Sequence, residues 1–140
     1  MKNNSLEAMH NTKNLAMPER LDTDGKRAYS TIKKYLDNFS HIETGGCQTF
    51  YSPKEWEDRG EEYGIGSKLI VVYDGGDMRP YFNMDAAYDG HCMLAEFYED
   101  VGDSLLNDPY HSYESMQSAL RKEGLYFEEC TNWYAAVYKI

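Results

Sequence analysis

The sequence predicts an α+β fold, a single compact domain in which a mostly antiparallel sheet of about four strands packs with three or four helices. Three observations predict it. Leu69-Ile70-Val71-Val72 is an unbroken branched run, apolar toward both faces, as a covered central strand requires. Leu125–Cys130 and Trp133–Ile140 are two apolar runs separated by Thr131-Asn132, the pattern of a tight hairpin. Amphipathic segments of helical period stand between these runs and ahead of them. At 140 residues the chain has the length of one domain with a sizeable core.

The elements follow in chain order. Residues 1–22 carry scattered apolar positions and read as a loosely ordered arm, with a short helix around Leu6–Leu15 closed by Pro18; the domain proper is expected over 23–140. Thr23 or Asp24 is placed to cap a first helix whose stripe is Ala28, Ile32, Tyr35, Leu36 and Phe39. Cys47–Tyr51 reads as a short strand. Ser52-Pro53-Lys54-Glu55 is a capping box with proline at the first helical position, and it opens a helix that buries Trp56 and Tyr63 before Gly64 stops it. After the central strand, Asp74-Gly75-Gly76-Asp77 supplies a reversal, and Pro80 suits the start of a short strand at Tyr81–Asn83.

Asp85 or Asp89 is then placed to cap a helix carrying Met93, Leu94, Phe97, Val101 and Leu105 on one side. Ser112 caps the last helix, whose inner face is Tyr113, Met116, Ala119 and Leu120. Arg121 and Lys122 suit its negative end, and Gly124 its C′ position. The last strand is apolar on both faces and belongs inside the sheet, beside Leu69–Tyr73.

Charge is unevenly spread. The net charge is −10, yet residues 1–34 hold seven bases against four acids, leaving a net of −13 for residues 35–140. Between Arg79 and Arg121 eight acids occur without a Lys or Arg. Such a field repels phosphates and anionic membranes and favours a basic partner, so direct binding of nucleic acid through this half is not expected. Thirteen tyrosines serve either as bulky core fillers or as a contact surface. Cys47, Cys92 and Cys130 are sparse and odd in number, which fits reduced thiols in the cytoplasm. No apolar run is long enough to span a membrane, and no signal-peptide core opens the chain.

No sequence motif of a known catalytic class is present. Asp74, Asp77 and His91, with Asp85 and Asp89 nearby, offer hard oxygens and an imidazole to a divalent metal, but the same acids read more readily as turn and cap residues. Cys47 or Cys92 with His41 or His91 has no spacing that recommends a nucleophile. No cofactor is expected. The more informative pattern is Glu96, Glu99, Asp100 and Asp103, at i, i+3, i+4 and i+7 of a helix. Four carboxylates on one face, repeating every ~5.4 Å of helical pitch, imitate a nucleic-acid backbone. Asp74, Asp77, Asp85 and Asp89 extend the negative surface.

Val-Val-Tyr-Asp-Gly-Gly-Asp from Val71, Pro-Tyr-Phe-Asn from Pro80, and Gly-Leu-Tyr-Phe-Glu-Glu-Cys-Thr-Asn-Trp-Tyr-Ala-Ala-Val-Tyr from Gly124 resemble small acidic proteins of bacteriophages and mobile elements. The resemblance spans residues 47–140 at most. It implies an anti-CRISPR-like setting: inhibition of a host defence complex through a basic, nucleic-acid-binding protein or ribonucleoprotein surface, in the host cytoplasm. The basic 1–34 segment departs from that pattern. A small metal-dependent enzyme and a virion structural or assembly protein are the alternatives, and a homodimer is left open.

Overall fold

The computed structural model describes residues 14–37, 48–74, 78–88 and 109–140. Helix α1 spans Thr23–Leu36, strand β1 Phe50–Tyr51, helix α2 Pro53–Asp58 and strand β2 Leu69–Val72. Helix α3 spans Arg79–Phe82, helix α4 Pro109–Arg121, strand β3 Leu125–Glu129 and strand β4 Tyr134–Lys139. The four strands form one antiparallel sheet in the order β1-β2-β4-β3. The domain is α+β, and the two runs expected at the centre are there. Every residue of β2 is buried, as are Tyr134 to Val137 of β4.

The sheet separates two cores. Its inner face (Phe50, Leu69, Val71, Leu125, Phe127, Ala135 and Val137) packs against Ala28, Ile32 and Leu36 of α1 and Met116 and Leu120 of α4. Its outer face (Ile70, Val72, Tyr134 and Ala136) packs on Trp56 of α2. The capping box forms as expected. Ser52 Oγ accepts from Glu55 N, Glu55 Oε1 accepts from Ser52 N, each at 3.1 Å, and Pro53 opens the helix. This short helix holds Trp56 fully buried, with ring centroids 4.9 Å from both Tyr51 and Tyr134.

Several local expectations are corrected. The cap of α1 is Asp22, whose Oδ1 accepts from Gly25 N at 2.7 Å, and neither Thr23 nor Asp24. Asp24 instead sits in the first turn and pairs with Arg27 at 3.2 Å and with Lys139 at 3.7 Å. Leu15 and Leu21 lie in the inner core, and Thr49 N donates to Asn14 O at 2.9 Å. Residues 14–22 are thus packed against the domain ahead of the boundary drawn at 23; residues 1–13 lie outside the described residues.

Tyr63 is exposed, since the chain has left α2 before reaching it. Tyr81–Asn83 is helical rather than a strand. Pro80 takes an early helical position, where its missing N–H costs nothing, and Asn83 N donates to Arg79 O at 2.9 Å. The helical turn lets Phe82 stack on Tyr73, 6.2 Å between centroids, and meet Phe127 edge-on at 5.1 Å. Strand β2 pairs with β1 and β4 and is followed by helix α3; Gly75, Gly76 and Asp77, where the reversal was expected, lie outside the described residues.

A further helical segment over 84–88 is capped by Asn83, whose Oδ1 accepts from Ala86 N at 3.0 Å; the helix expected to carry Met93, Leu94, Phe97, Val101 and Leu105 lies outside the described residues. Ser112 lies inside α4 rather than at its start. With Ser115 it hydrogen-bonds the Tyr35 hydroxyl across to α1. Gly124 ends α4 with φ +77°, a left-handed conformation that favours glycine, and its N–H donates to Arg121 O at 3.0 Å.

Candidate functional site

Alternation along β3 sorts its residues cleanly. Leu125 and Phe127 point into the inner core, while Tyr126 and Glu128 point outward. On β4, Tyr134, Ala136 and Tyr138 share that outer face. Helix α2 and the loop after it cover the β1–β2 half of this face: Gly64 approaches so closely that an added Cβ would lie 2.7 Å from Ile70 Cδ1. The β3–β4 half is only partly covered. There Tyr126 and Tyr138 stack with centroids 5.7 Å apart and planes 27° from parallel, both half-buried. Trp133 and Cys130 continue the patch toward the Trp56 cluster.

The patch is aromatic with an acidic surround. Glu128 is exposed on the same strand face as Tyr126, and Glu61 lies near Tyr134. Burial pushes the Tyr138 hydroxyl above its ordinary pKa, with smaller contributions from Cys130 and Glu128. Burial likewise raises the Cys130 thiol to about 11, Glu128 adding to it. A thiol held protonated at neutral pH is a poor nucleophile, so Cys130 belongs to the surface as a small apolar group. Arg59 lies over the Trp56 ring at 4.7 Å and over the Tyr51 ring at 5.4 Å, and it also pairs with Glu61 at 3.8 Å. The chain's own cation thus already occupies the neighbouring aromatic rings in a cation–π contact.

The residues singled out from sequence are placed unevenly. Asp74 and Asp85 are exposed, at the end of β2 and in the 84–88 segment. Asp77, Asp89, His91, Glu96, Glu99, Asp100 and Asp103 lie outside the described residues, as do His41, Cys47 and Cys92. Among the described residues no group of three His, Cys, Asp or Glu side chains has the arrangement of a metal site. No described helix is long and apolar enough to cross a membrane. The Tyr126–Tyr138 patch was not singled out from sequence. Its signal was available in the Leu-Tyr-Phe-Glu alternation of residues 125–128.

Comparison with protein-family models, curated proteins and solved structures found no match to this chain.

Proposed function

We propose that this protein is a non-enzymatic inhibitor that binds a basic, nucleic-acid-binding surface of a host defence complex. The observation that carries the reading is the half-covered outer face of β3 and β4, where Tyr126 and Tyr138 stack beside exposed Glu128. Half-buried tyrosines give large contact area at a small cost in side-chain order, and interface anchors are enriched in them. The surrounding carboxylates select Lys and Arg on the partner, and those cations have aromatic faces to settle on. The sequence-based row Glu96, Glu99, Asp100 and Asp103 adds to the same negative field. The phage-like resemblance points to an RNA-guided nuclease as the first target class.

The test is target-DNA cleavage by reconstituted RNA-guided nucleases with the full chain added. Inhibition is expected to weaken steeply as salt rises, since charge pairs across a solvent-exposed rim are screened within ~8–10 Å at physiological ionic strength. Tyr126→Ala with Tyr138→Ala, and separately Glu96, Glu99, Asp100 and Asp103 to Lys, should each abolish it. Inhibition that persists in both variants, or that is flat from low to high salt, would falsify the reading.

A further inference from the structure

Two bases of the basic 1–34 segment that the acidic reading leaves unexplained, Arg27 and Lys34, converge on one place. Arg27, Ser30, Thr31 and Lys34 fall at i, i+3, i+4 and i+7 of α1, hence on one face. That face opposes Ala119, Lys122 and Glu123 at the end of α4, and the two line an open cleft of about 450 Å³. The size is that of small-molecule sites in general, which run from roughly 300 to 1,000 Å³. Its lining carries three cations and one carboxylate in a chain whose net charge is −10.

Most described bases of this chain already pair with acids. Arg20 and Lys54 are held by Asp58, Lys33 by Asp37, Arg59 by Glu61, and Lys68 and Lys139 by Asp22 and Asp24. In the cleft, Arg27 is oriented by Asp24 at 3.2 Å and by Glu123 O at 3.3 Å. Lys34 and Lys122, like Lys26, Arg79 and Arg121 elsewhere, have no acidic partner among the described residues. Lys34 and Lys122 both line the cleft and are exposed, so an anion bound there would gain from both. The Ser30 hydroxyl, between Arg27 and Lys34 on the same face, can donate to its oxygens, while the Thr31 hydroxyl already donates to Arg27 O at 2.8 Å.

We propose that this cleft binds a small molecule bearing a pyrophosphate group, with Arg27, Lys34 and Lys122 as its counter-charges. Arg27 and Lys34 are two turns apart, roughly 10 Å along the axis, which suits a chain of phosphates better than a single one. The remaining volume, bounded by Tyr35 and Ala119, receives the organic part. The net field of the chain opposes any diffuse gathering of anions, so affinity here rests on these local groups. The site is independent of the Tyr126–Tyr138 surface.

The experiment is a calorimetric and NMR titration of the full chain with inorganic pyrophosphate at fixed ionic strength. One saturable site is expected, perturbing amides of α1 and the end of α4. Lys34→Gln with Lys122→Gln should weaken it by about tenfold or more, each tenfold being ~1.4 kcal/mol. Lys26→Gln with Arg79→Gln removes the same charge outside the cleft and should leave it within about twofold. Orthophosphate should bind at least about tenfold more weakly. Absence of saturation, equal weakening in both double variants, or equal affinity for the two phosphates would each overturn the assignment. Thermal unfolding of each variant separates lost binding from lost fold.

Discussion

Asp22→Ala is the substitution that most directly tests how α1 is fixed to the sheet. The Asp22 carboxylate does two things: Oδ1 caps α1 through Gly25 N at 2.7 Å, and Oδ2 accepts from Lys68 Nζ at 2.9 Å, just ahead of β2. Removing an N-cap carboxylate costs about 1 kcal/mol. The ion pair is largely exposed, with side-chain exposures of 30% for Lys68 and 54% for Asp22, and so adds only ~0.5 kcal/mol. The sum, ~1.5 kcal/mol, corresponds to a fall of about 5 °C in Tm for a domain of this size. Asn caps nearly as well as Asp, so Asp22→Asn should lose only the ion-pair share, ~0.5 kcal/mol.

The same carboxylate gives the pH dependence. The hydrogen bond from Lys68, then that from Gly25, holds Asp22 below its ordinary pKa. A depressed folded pKa contributes stability that is fully present above the unfolded value and is lost as pH falls through the folded one. The gap between wild type and Asp22→Ala should therefore be complete at pH 6 and close below about pH 4, near the unfolded carboxylate value. Urea unfolding followed by circular dichroism at both pH values measures it. Equal losses for the Ala and Asn variants would refute the capping argument. A gap unchanged at low pH would refute the role of the charge.

Two further expectations follow from close packing and burial. Gly25→Ala places a Cβ 2.6 Å from Lys68 O, a backbone atom with little room to yield, so the variant should lose about 1–3 kcal/mol although alanine is the better helix former; a neutral or stabilised variant in the same urea assay would show that α1 does not sit so tightly on β2. The raised values of Cys130, to about 11, and Tyr73, to about 12, favour the protonated groups in the folded state. Their contribution is present at neutral pH and is lost as pH climbs from about 9 toward 12. Alkylation at pH 8 mapped by mass spectrometry should label the Cys130 peptide more slowly in the folded chain than in urea, and equal rates would contradict the raised thiol value.

Where a local signal and a tertiary demand coincide, the structure was readable from the chain. The Ser52–Glu55 capping box needs only four residues, and the double-sided runs of β2 and β4 leave no place for them except the middle of the sheet. The cap of α1 was misplaced because Asp22, Thr23 and Asp24 are all good caps; contact with Lys68 decides among them. The Tyr81–Asn83 run is apolar enough for a strand, and Pro80 starts either element equally well. Stacking of Phe82 on Tyr73, and its contact with Phe127 far along the chain, settles it as helix. For the site, total charge points to acids; alternation along residues 125–128 marks Tyr126 as outward, but its pairing with Tyr138 is fixed only by the register of β3 on β4. Convergence of Arg27 and Lys34 with Lys122 is a property of helix packing and has no local signature.

One contact at the margin of the sheet limits how anything can bind. Strand β3 is an edge, and Phe127 turns its backbone outward there. Gln117 of α4 meets it with both halves of its amide: Nε2 donates to Phe127 O at 3.1 Å and Oε1 accepts from Phe127 N at 2.8 Å. A single side chain thus occupies the place a fifth strand would take. At the opposite margin Gln48 Nε2 donates to Phe50 O at 2.6 Å, and Asn14 O takes Thr49 N. At these positions a partner would have to displace a side chain before adding its own backbone to the sheet. A partner of the kind proposed would meet the flat side instead, where side chains rather than backbone make the contact.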